Sequence, residues 1–326
     1  MKRRALLVAS GAWLAAAATR SIAQAPRVPR RIAFLHPGTE PGWRSRIDVF
    51  RTALKELGHV EGRDVSIEVR WGGDRTEALV ALAAEVVASN PAVIVTATSA
   101  AVAACKKATS TIPIVFATAG DPVEQGFVAS LGRPGGNVTG VVVHSSLSAK
   151  ITEIAREAFP KARRLAILVH DPDPFHRAHL DYFRQGAQRF KFEPVVVRVA
   201  GIEDLDRAFR ELAERKAEAL FIPNLAFFTS HRSQIIERAL KARLPLLGNQ
   251  NTIPESGGLL SYGTTIEENY RRAAALVDKI LRGAKAGELA VEQPERFQLV
   301  VNMKTAKAIG VRLSPTTMLR ADKVIE

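Results

Sequence analysis

Two short polar segments, each following an apolar run, carry the most distinctive chemistry in this sequence. Thr98 and Ser99 follow the β-branched run at residues 93–95 and precede a helical pattern. Asp121 follows a second apolar run at residues 112–116. Hydroxyls and free backbone N–H groups at a helix N-terminus suit an anion such as a carboxylate, whereas an aspartate suits a cation such as an ammonium. Together the two segments predict a clamp for an amino acid.

The elements around these segments follow a repeated strand-helix-strand pattern. It begins near residue 31, and a second round begins near residue 148. Strands separated by helices of this length imply parallel sheets, and ligands bind outside the carboxyl ends of such strands. We therefore expect an α/β fold with two Rossmann-like lobes, parallel sheets and a cleft between the lobes.

The predicted bounds of the lobes follow from the late elements of the chain, which we expect to cross back between them. The N-terminal lobe is predicted to comprise residues 30–145 and 256–287, and the C-terminal lobe residues 146–255 and 288–326. The crossover segments are placed around residues 248–255 and 284–292, and they predict closure by a hinge.

The N-terminal segment has the pattern of a secretory signal peptide. A charged start, Lys2 to Arg4, precedes a short apolar run at residues 5–18 and the small-residue pattern Ala23-Gln24-Ala25. The apolar run is too short to span a membrane. We expect residues 1–25 to be removed, with cleavage after Ala25 or, as a nearby alternative, after Ala23.

Composition narrows the possible functions of the exported chain. The formal charge of +13 becomes +9 without residues 1–25, which carry four basic and no acidic side chains. The remaining basic residues are dispersed, so we expect solvated helix faces and no nucleic-acid partner. The single cysteine, Cys105, is expected to be a small buried hydrophobe.

A histidine- and aspartate-rich loop raises the question of a metal site. It contains His170, Asp171, Asp173 and His176, with two intervening prolines. We expect this loop to cap the helix that starts at Phe175, and we predict neither a metal nor a cofactor. We also expect a monomer.

Four sequence segments together resemble one protein family. They are EGRDVSIEVRW at 61–71, KKATSTIPIVFATAGDPVEQGFVASLGRPGGNVTGV at 106–141, GGLLSYGTTIEENYRRAAALVDKILRG at 257–283 and LVVNMKTAKAIGV at 299–311. They resemble the ABC transporter substrate-binding proteins of the tryptophan/aromatic amino-acid type. The resemblance implies a type I periplasmic-binding fold without catalysis, a periplasmic location and a partner ABC permease in the inner membrane. It also implies a small-molecule ligand that contains a carboxylate.

The resemblance implies ligand-binding roles for five residues. It implies that Thr98, Ser99 and Ala100 form the loop that holds the ligand's carboxylate. It implies that Asp121 pairs with the ligand's amino group, and that Asn224 contributes from the second lobe. The residue types alone leave other roles open. Asp121 could form a turn, and Thr98 and Ser99 could cap a helix.

The identity of the ligand stays open at this stage. Pro223 stands where a polar residue is usual in the family, and the loop that begins at His170 also differs, so an aromatic or branched amino acid or another small acid is possible. His36, at the end of the first strand, and Tyr262, a candidate stacking residue, are further ligand-contact candidates. An exported α/β enzyme or a ligand-sensing lobe for a membrane signalling partner are the alternative functions.

Overall fold

The computed structural model describes residues 28–173, 175–294 and 296–326. The predicted signal peptide and its cleavage site lie outside these residues. The strands are β1 (Arg30–His36), β2 (Val65–Trp71), β3 (Val93–Thr96), β4 (Ile114–Ala119), β5 (Val138–Val142), β6 (Arg164–His170), β7 (Glu193–Val199), β8 (Ala219–Ile222), β9 (Leu246–Gly248), β10 (Leu260–Gly263), β11 (Gln298–Asn302) and β12 (Lys323–Ile325). The α-helices are α1 (Glu40–Glu56), α2 (Ala78–Ala88), α3 (Ser99–Ala108), α4 (Leu147–Ala158), α5 (His176–Arg189), α6 (Leu205–Glu214), α7 (Ala226–Ser230), α8 (Arg232–Lys241), α9 (Thr252–Glu255), α10 (Ile266–Leu281), α11 (Met303–Ile309) and α12 (Pro315–Arg320).

The first lobe is built on a five-stranded parallel sheet with the order β2-β1-β3-β4-β5. Its central strand β3 consists entirely of buried residues, which explains why its sequence is a continuous β-branched run without alternation. Helices α1 and α10 pack on one face of the sheet, and α2 and α3 pack on the other.

The second lobe is built on a seven-stranded sheet with the order β12-β11-β10-β9-β8-β6-β7. All of its neighbouring strands are parallel except β10 and β11, which pair antiparallel. Helices α4 and α5 cover one face, and α6, α7 and α8 cover the other. The predicted α/β fold with two lobes is confirmed, with one antiparallel pair that the sequence pattern did not indicate.

The boundaries between the lobes differ in detail from the predicted ones. Strand β10, predicted to belong to the first lobe within residues 256–287, pairs with β9 and β11 in the second sheet. Val291, predicted to belong to the second lobe, packs in the core of the first. Strand periodicity identifies a strand but not the sheet that it joins, because pairing depends on residues far away in the sequence.

The described chain passes between the lobes at three places: after β5, between β10 and α10, and after Glu292. Two of these crossings contact each other through His144 Nε2 and Gln293 Oε1, which are 3.1 Å apart. The predicted crossover at residues 248–255 is wrong, because β9 and α9 both lie within the second lobe. Helix α10 begins directly after its crossing, where the Thr265 hydroxyl accepts a hydrogen bond from the Glu268 amide at 3.2 Å.

Candidate functional site

A narrow cavity of about 20 Å³ lies between the lobes at the carboxyl ends of β3 and β4. Side chains or backbone from both lobes and from the crossing after β5 form its walls. The lining residues are Thr98, Ser99, Thr118, Ala119, Gly120, Gln125, Val143, Ser145, Phe175, His179, Asn224 and Leu225. This position is the one that a parallel α/β sheet favours for a ligand.

Thr98, the N-cap residue of helix α3, has a strained backbone conformation. Its φ and ψ angles are 70° and 148°, a region that a β-branched residue rarely occupies and that costs about 1–3 kcal/mol. Its amide donates to the Thr118 carbonyl oxygen at 2.6 Å, which fixes this conformation to the neighbouring strand. Thr98 is 8% exposed, and its Oγ1 has no hydrogen-bond partner among the described residues. A buried hydroxyl in this position is available to a ligand.

Ser99, the first residue of α3, joins the two strand-end loops. Its Oγ accepts a hydrogen bond from the Gly120 amide at 3.0 Å. A Cβ atom on Gly120 would lie 3.4 Å from Ser99 Oγ and 3.2 Å from Ser145 Oγ. The absence of a side chain at Gly120 therefore leaves space in the cavity that hydroxyl groups border.

The wall from the second lobe contains a neutral histidine. His179 Nδ1 lies 2.9 Å from Ser148 Oγ, and both side chains are buried. Burial, followed by the nearby His176, lowers the pKa of His179 to about 4. The imidazole is therefore uncharged at neutral pH and can take part in hydrogen bonds without adding charge to the cavity.

Asn224 enters the cavity from the loop after β8. Its Oδ1 accepts a hydrogen bond from Gln250 Nε2, and the same Nε2 lies 3.4 Å from Thr229 Oγ1. Gln250 Oε1 in turn accepts from Arg46 Nη2 of the first lobe at 3.3 Å. The position of Asn224 is thus linked to the contact between the lobes.

Asp121 lies beside the cavity and outside its lining. Its Oδ1 accepts hydrogen bonds from the amides of Val123, at 3.0 Å, and Glu124, at 3.2 Å. The carboxylate therefore stabilises a turn in this structure. Its predicted contact with a ligand's amino group stays a prediction.

The other predicted site residues lie elsewhere. Ala100 packs against the core of the first lobe, and Tyr262 stacks on Phe297 with ring centroids 5.9 Å apart. His36 is fully buried 3.9 Å from the Trp43 ring, and burial followed by the charge of Arg46 lowers its pKa well below the usual value. The structure therefore brings together Thr98, Ser99 and Asn224, and places Ala100, His36 and Tyr262 outside the cavity lining.

Nine of the twelve lining residues were not among the predicted site residues, and they include Gln125, Ser145, Phe175 and His179. Gln125 follows Asp121 in the same strand-end loop, so the sequence position alone was a usable signal. The positions of Ser145 and His179 depend on how the two lobes meet. No local sequence pattern indicates that arrangement.

The histidine- and aspartate-rich loop lies directly before α5, which begins at His176, one residue later than predicted, and its N-cap residue Phe175 makes no side-chain capping hydrogen bond. Asp173 Oδ1 accepts a hydrogen bond from the Phe175 amide at 2.9 Å. His170 stacks on Phe227 with centroids 4.3 Å apart. In the part of the chain that the structure describes, no group of three or more His, Cys, Asp or Glu side chains is arranged to hold a metal ion.

A second set of interlobe contacts lies away from the cavity. Trp43 Nε1 donates to Ser230 Oγ at 3.2 Å, and Ser230 Oγ donates to Asp74 Oδ1 at 2.5 Å. His231 Nε2 lies 3.6 Å from Asp74 Oδ2. Burial raises the pKa of Asp74, against the opposing effects of the Ser230 hydrogen bond and His231. These contacts hold the two lobes together.

Within residues 28–173, 175–294 and 296–326, no helix has both the length and the apolar character that crossing a bilayer requires.

Comparison with known proteins extends these observations. A tyrosine-binding protein of Clostridioides difficile (strain R20291) is 24% identical over 263 residues, which cover 81% of this chain and 76% of that protein. Among solved structures, a conserved domain protein from Vibrio cholerae has a TM-score of 0.85 at 24% identity, with 91% of this chain and 100% of that chain covered.

Two further structures have the same fold. The ABC domain in complex with L-Trp from Streptococcus pneumonia has a TM-score of 0.83 at 19% identity, and the comparison covers 91% of this chain and 100% of that one. A ligand-free, open substrate binding protein from Clostridium difficile has a TM-score of 0.65 at 20% identity, with 91% and 99% covered. These likenesses confirm the expected type I periplasmic-binding fold.

The family model for ABC transporter substrate binding proteins matches residues 31–325, which is nearly all of the described chain. The resemblance stated from the sequence motifs is thereby confirmed. This chain belongs to the ABC transporter substrate binding protein family.

Proposed function

We propose that this chain is the periplasmic solute-binding component of an ABC importer. Its ligand is a small solute with a carboxylate, an amino acid with an aromatic or branched side chain. The observation that carries the proposal is the buried Thr98 hydroxyl, which has no hydrogen-bond partner within residues 28–173, 175–294 and 296–326 and lies at the N-terminus of α3 inside an interlobe cavity. The names of two similar proteins, which refer to tyrosine and to L-Trp, support an amino acid as the ligand.

The carboxylate of the ligand binds at the start of helix α3. The free amides of the first helical turn and the positive end of the helix dipole favour an anion there. Thr98 Oγ1 donates to one carboxylate oxygen, and the Ser99 hydroxyl, which already accepts from Gly120, donates its hydrogen to the ligand. The first lobe therefore binds the charged end of the solute.

The second lobe completes the site when the cleft closes. Asn224, His179 and Phe175 reach the cavity from this lobe, so a ligand bound to α3 contacts them only when the lobes meet. Ligand binding is thereby coupled to the interlobe contacts of Gln250 with Arg46. A permease that recognises both lobes together then distinguishes the loaded protein from the empty one.

No chemical step is assigned to the cavity. Ser148, the hydroxyl paired with His179, is fully buried and lies outside the cavity lining. The pair orients the histidine ring and does not present a nucleophile to the solute. A binding role without catalysis accords with this arrangement.

A thermal-shift screen of the mature protein against amino acids, other carboxylates and sugars tests the proposal. A ligand at 100 times its dissociation constant stabilises the folded state by about 2.7 kcal/mol, which is readily measured. Thr98→Val keeps the shape of the side chain and removes the hydroxyl, so it should weaken the response to the best ligand. If sugars stabilise the protein and no carboxylate does, the proposal is wrong.

The periplasmic location has its own test. Mass spectrometry of protein recovered from the periplasm should give a mature N-terminus at Pro26 or Gln24. Retention of Met1 in that fraction would contradict export by cleavage. Deletion of the partner permease should abolish uptake of the ligand while the binding protein still binds it.

A further inference from the structure

The turn that follows β4 directs a glutamine into the cavity. The Gln125 amide donates to the Asp121 carbonyl oxygen at 3.1 Å, and the Asp121 carboxylate accepts from the amides of Val123 and Glu124. Both the backbone and the side chain of Asp121 thus build the turn. The residue that the turn presents to the cavity is Gln125.

The Gln125 side chain extends into the cavity next to Gly120. A Cβ atom on Gly120 would lie 2.7 Å from Gln125 Nε2, so the amide crosses the space above that glycine. Gln125 Oε1 is buried, and within the described residues it has no hydrogen-bond donor. A buried carbonyl oxygen without a donor costs free energy, which a ligand N–H group would recover.

The electrostatics of the cavity favour a neutral acceptor for the ligand's cation. None of the described lining residues has an ionised side chain at neutral pH, since His179 is neutral. An amino acid is a zwitterion and brings its own balancing carboxylate, which binds at α3. A carboxamide oxygen can accept a hydrogen bond from the ammonium and remains neutral. A carboxylate would add a buried negative charge, and the described lining has no cationic side chain to balance that charge.

We propose that Gln125 is the residue that recognises the ligand's amino group, through its Oε1 atom, and that Asp121 acts as a positioning residue that holds the turn. The inference rests on the proposed amino-acid-binding function. It makes Gln125 the residue that distinguishes an α-amino acid from the same acid without its amino group. Thr98 and Ser99 recognise the part that both molecules share.

Calorimetric titration with two probes tests this division of roles. The first probe is the L-amino acid that binds best among the twenty standard ones, and the second is the corresponding carboxylic acid without the amino group. The wild type should prefer the amino acid by about 10- to 100-fold. Gln125→Leu, which keeps the size of the side chain, should remove most of that preference and leave the affinity for the second probe within about twofold.

Variants of Asp121 separate positioning from direct contact. Asp121→Asn retains an acceptor for the turn amides, so it should keep the preference for the amino acid, whereas Asp121→Ala should reduce it. If Asp121 binds the ammonium through its charge, Asn and Ala lose the preference equally, and the proposal for Gln125 is overturned. Thermal unfolding without ligand identifies any variant that has lost the fold.

The remaining outcomes distinguish the two proposals. If wild type and Gln125→Leu show the same preference for the amino acid, the inference is wrong and the amino-acid-binding function stands. If the wild type binds the acid without the amino group equally well, the inference is also wrong, and a carboxylate-binding function remains. If none of the twenty amino acids binds, both proposals fail together.

Discussion

Trp43 of the first lobe donates its indole N–H to the hydroxyl of Ser230 in the second lobe at 3.2 Å, across 187 positions of sequence. Ser230 also donates to Asp74 Oδ1 of the first lobe at 2.5 Å. One serine therefore satisfies two polar groups on the opposite lobe. Both hydrogen bonds are lost when the lobes separate. The two bonds therefore stabilise the closed form relative to the open form.

Ser230→Ala should shift the protein towards the open form. The change leaves Trp43 Nε1 and the buried Asp74 carboxyl without this partner, at a cost of about 1–3 kcal/mol to the closed form. Small-angle scattering in the absence of ligand should show a larger radius of gyration than the wild type, and ligand affinity should fall. Ser233→Ala, at an exposed position on the next helix, is the matched control. Equal radii and affinities for Ser230→Ala and wild type would show that this contact does not govern closure.

Thr98→Gly should be more stable than Thr98→Val, although both should bind the ligand more weakly than the wild type. Glycine relieves the strained backbone at φ 70°, so it should raise the free energy of unfolding by about 1 kcal/mol after its own entropic cost. Valine keeps the strain and should leave stability near that of the wild type. Both variants lack the hydroxyl, so both should bind the ligand about tenfold more weakly. Urea unfolding and calorimetry measure the two effects, and full affinity in Thr98→Val would rule out the hydroxyl as a ligand contact.

Gly120→Ala should block the cavity and preserve the fold. The added Cβ would lie 2.7 Å from the flexible end of Gln125 and close to two hydroxyl oxygens, so the side chains can adjust while the ligand's space is filled. We expect more than a tenfold loss of affinity with little change in melting temperature. Gly132→Ala is the control, because a Cβ there meets nothing within 4 Å. Ligand binding by Gly120→Ala at wild-type strength would place the ligand elsewhere.

The buried His179 predicts a specific pH dependence of stability. Its pKa is lowered to about 4 in the folded protein, from about 6.5 in an unfolded chain, so the unfolded state binds more protons between these values. The free energy of unfolding should therefore fall as the pH falls from 6.5 to 4, with about 3 kcal/mol from this group. His179→Asn can keep a hydrogen bond to Ser148 and should show a shallower fall in denaturant titrations across this range. Parallel profiles for variant and wild type would contradict the assignment.

The sequence by itself determined the repeated βα pattern, the family and the location of one half of the site. These features are encoded locally: β-branched runs such as Val93 to Thr96 specify strands, and the hydroxyls of Thr98 and Ser99 mark the helix start at a strand end. The cavity is found at that point because parallel strands end at a common edge. Distant contacts are not needed to predict it.

Only the tertiary structure decided which polar side chains face the cavity. Asp121 and Gln125 lie four residues apart in one turn, and the sequence left open whether Asp121 contacts a ligand or forms the turn; the structure shows its carboxylate accepting from the amides of Val123 and Glu124 and places Gln125 in the cavity lining. The contribution of His179 and the place of β10 in the second sheet depend on pairs of residues far apart in the sequence. Local patterns encode backbone conformation, whereas the direction of a side chain is set by whichever partners the folded chain brings within hydrogen-bond distance.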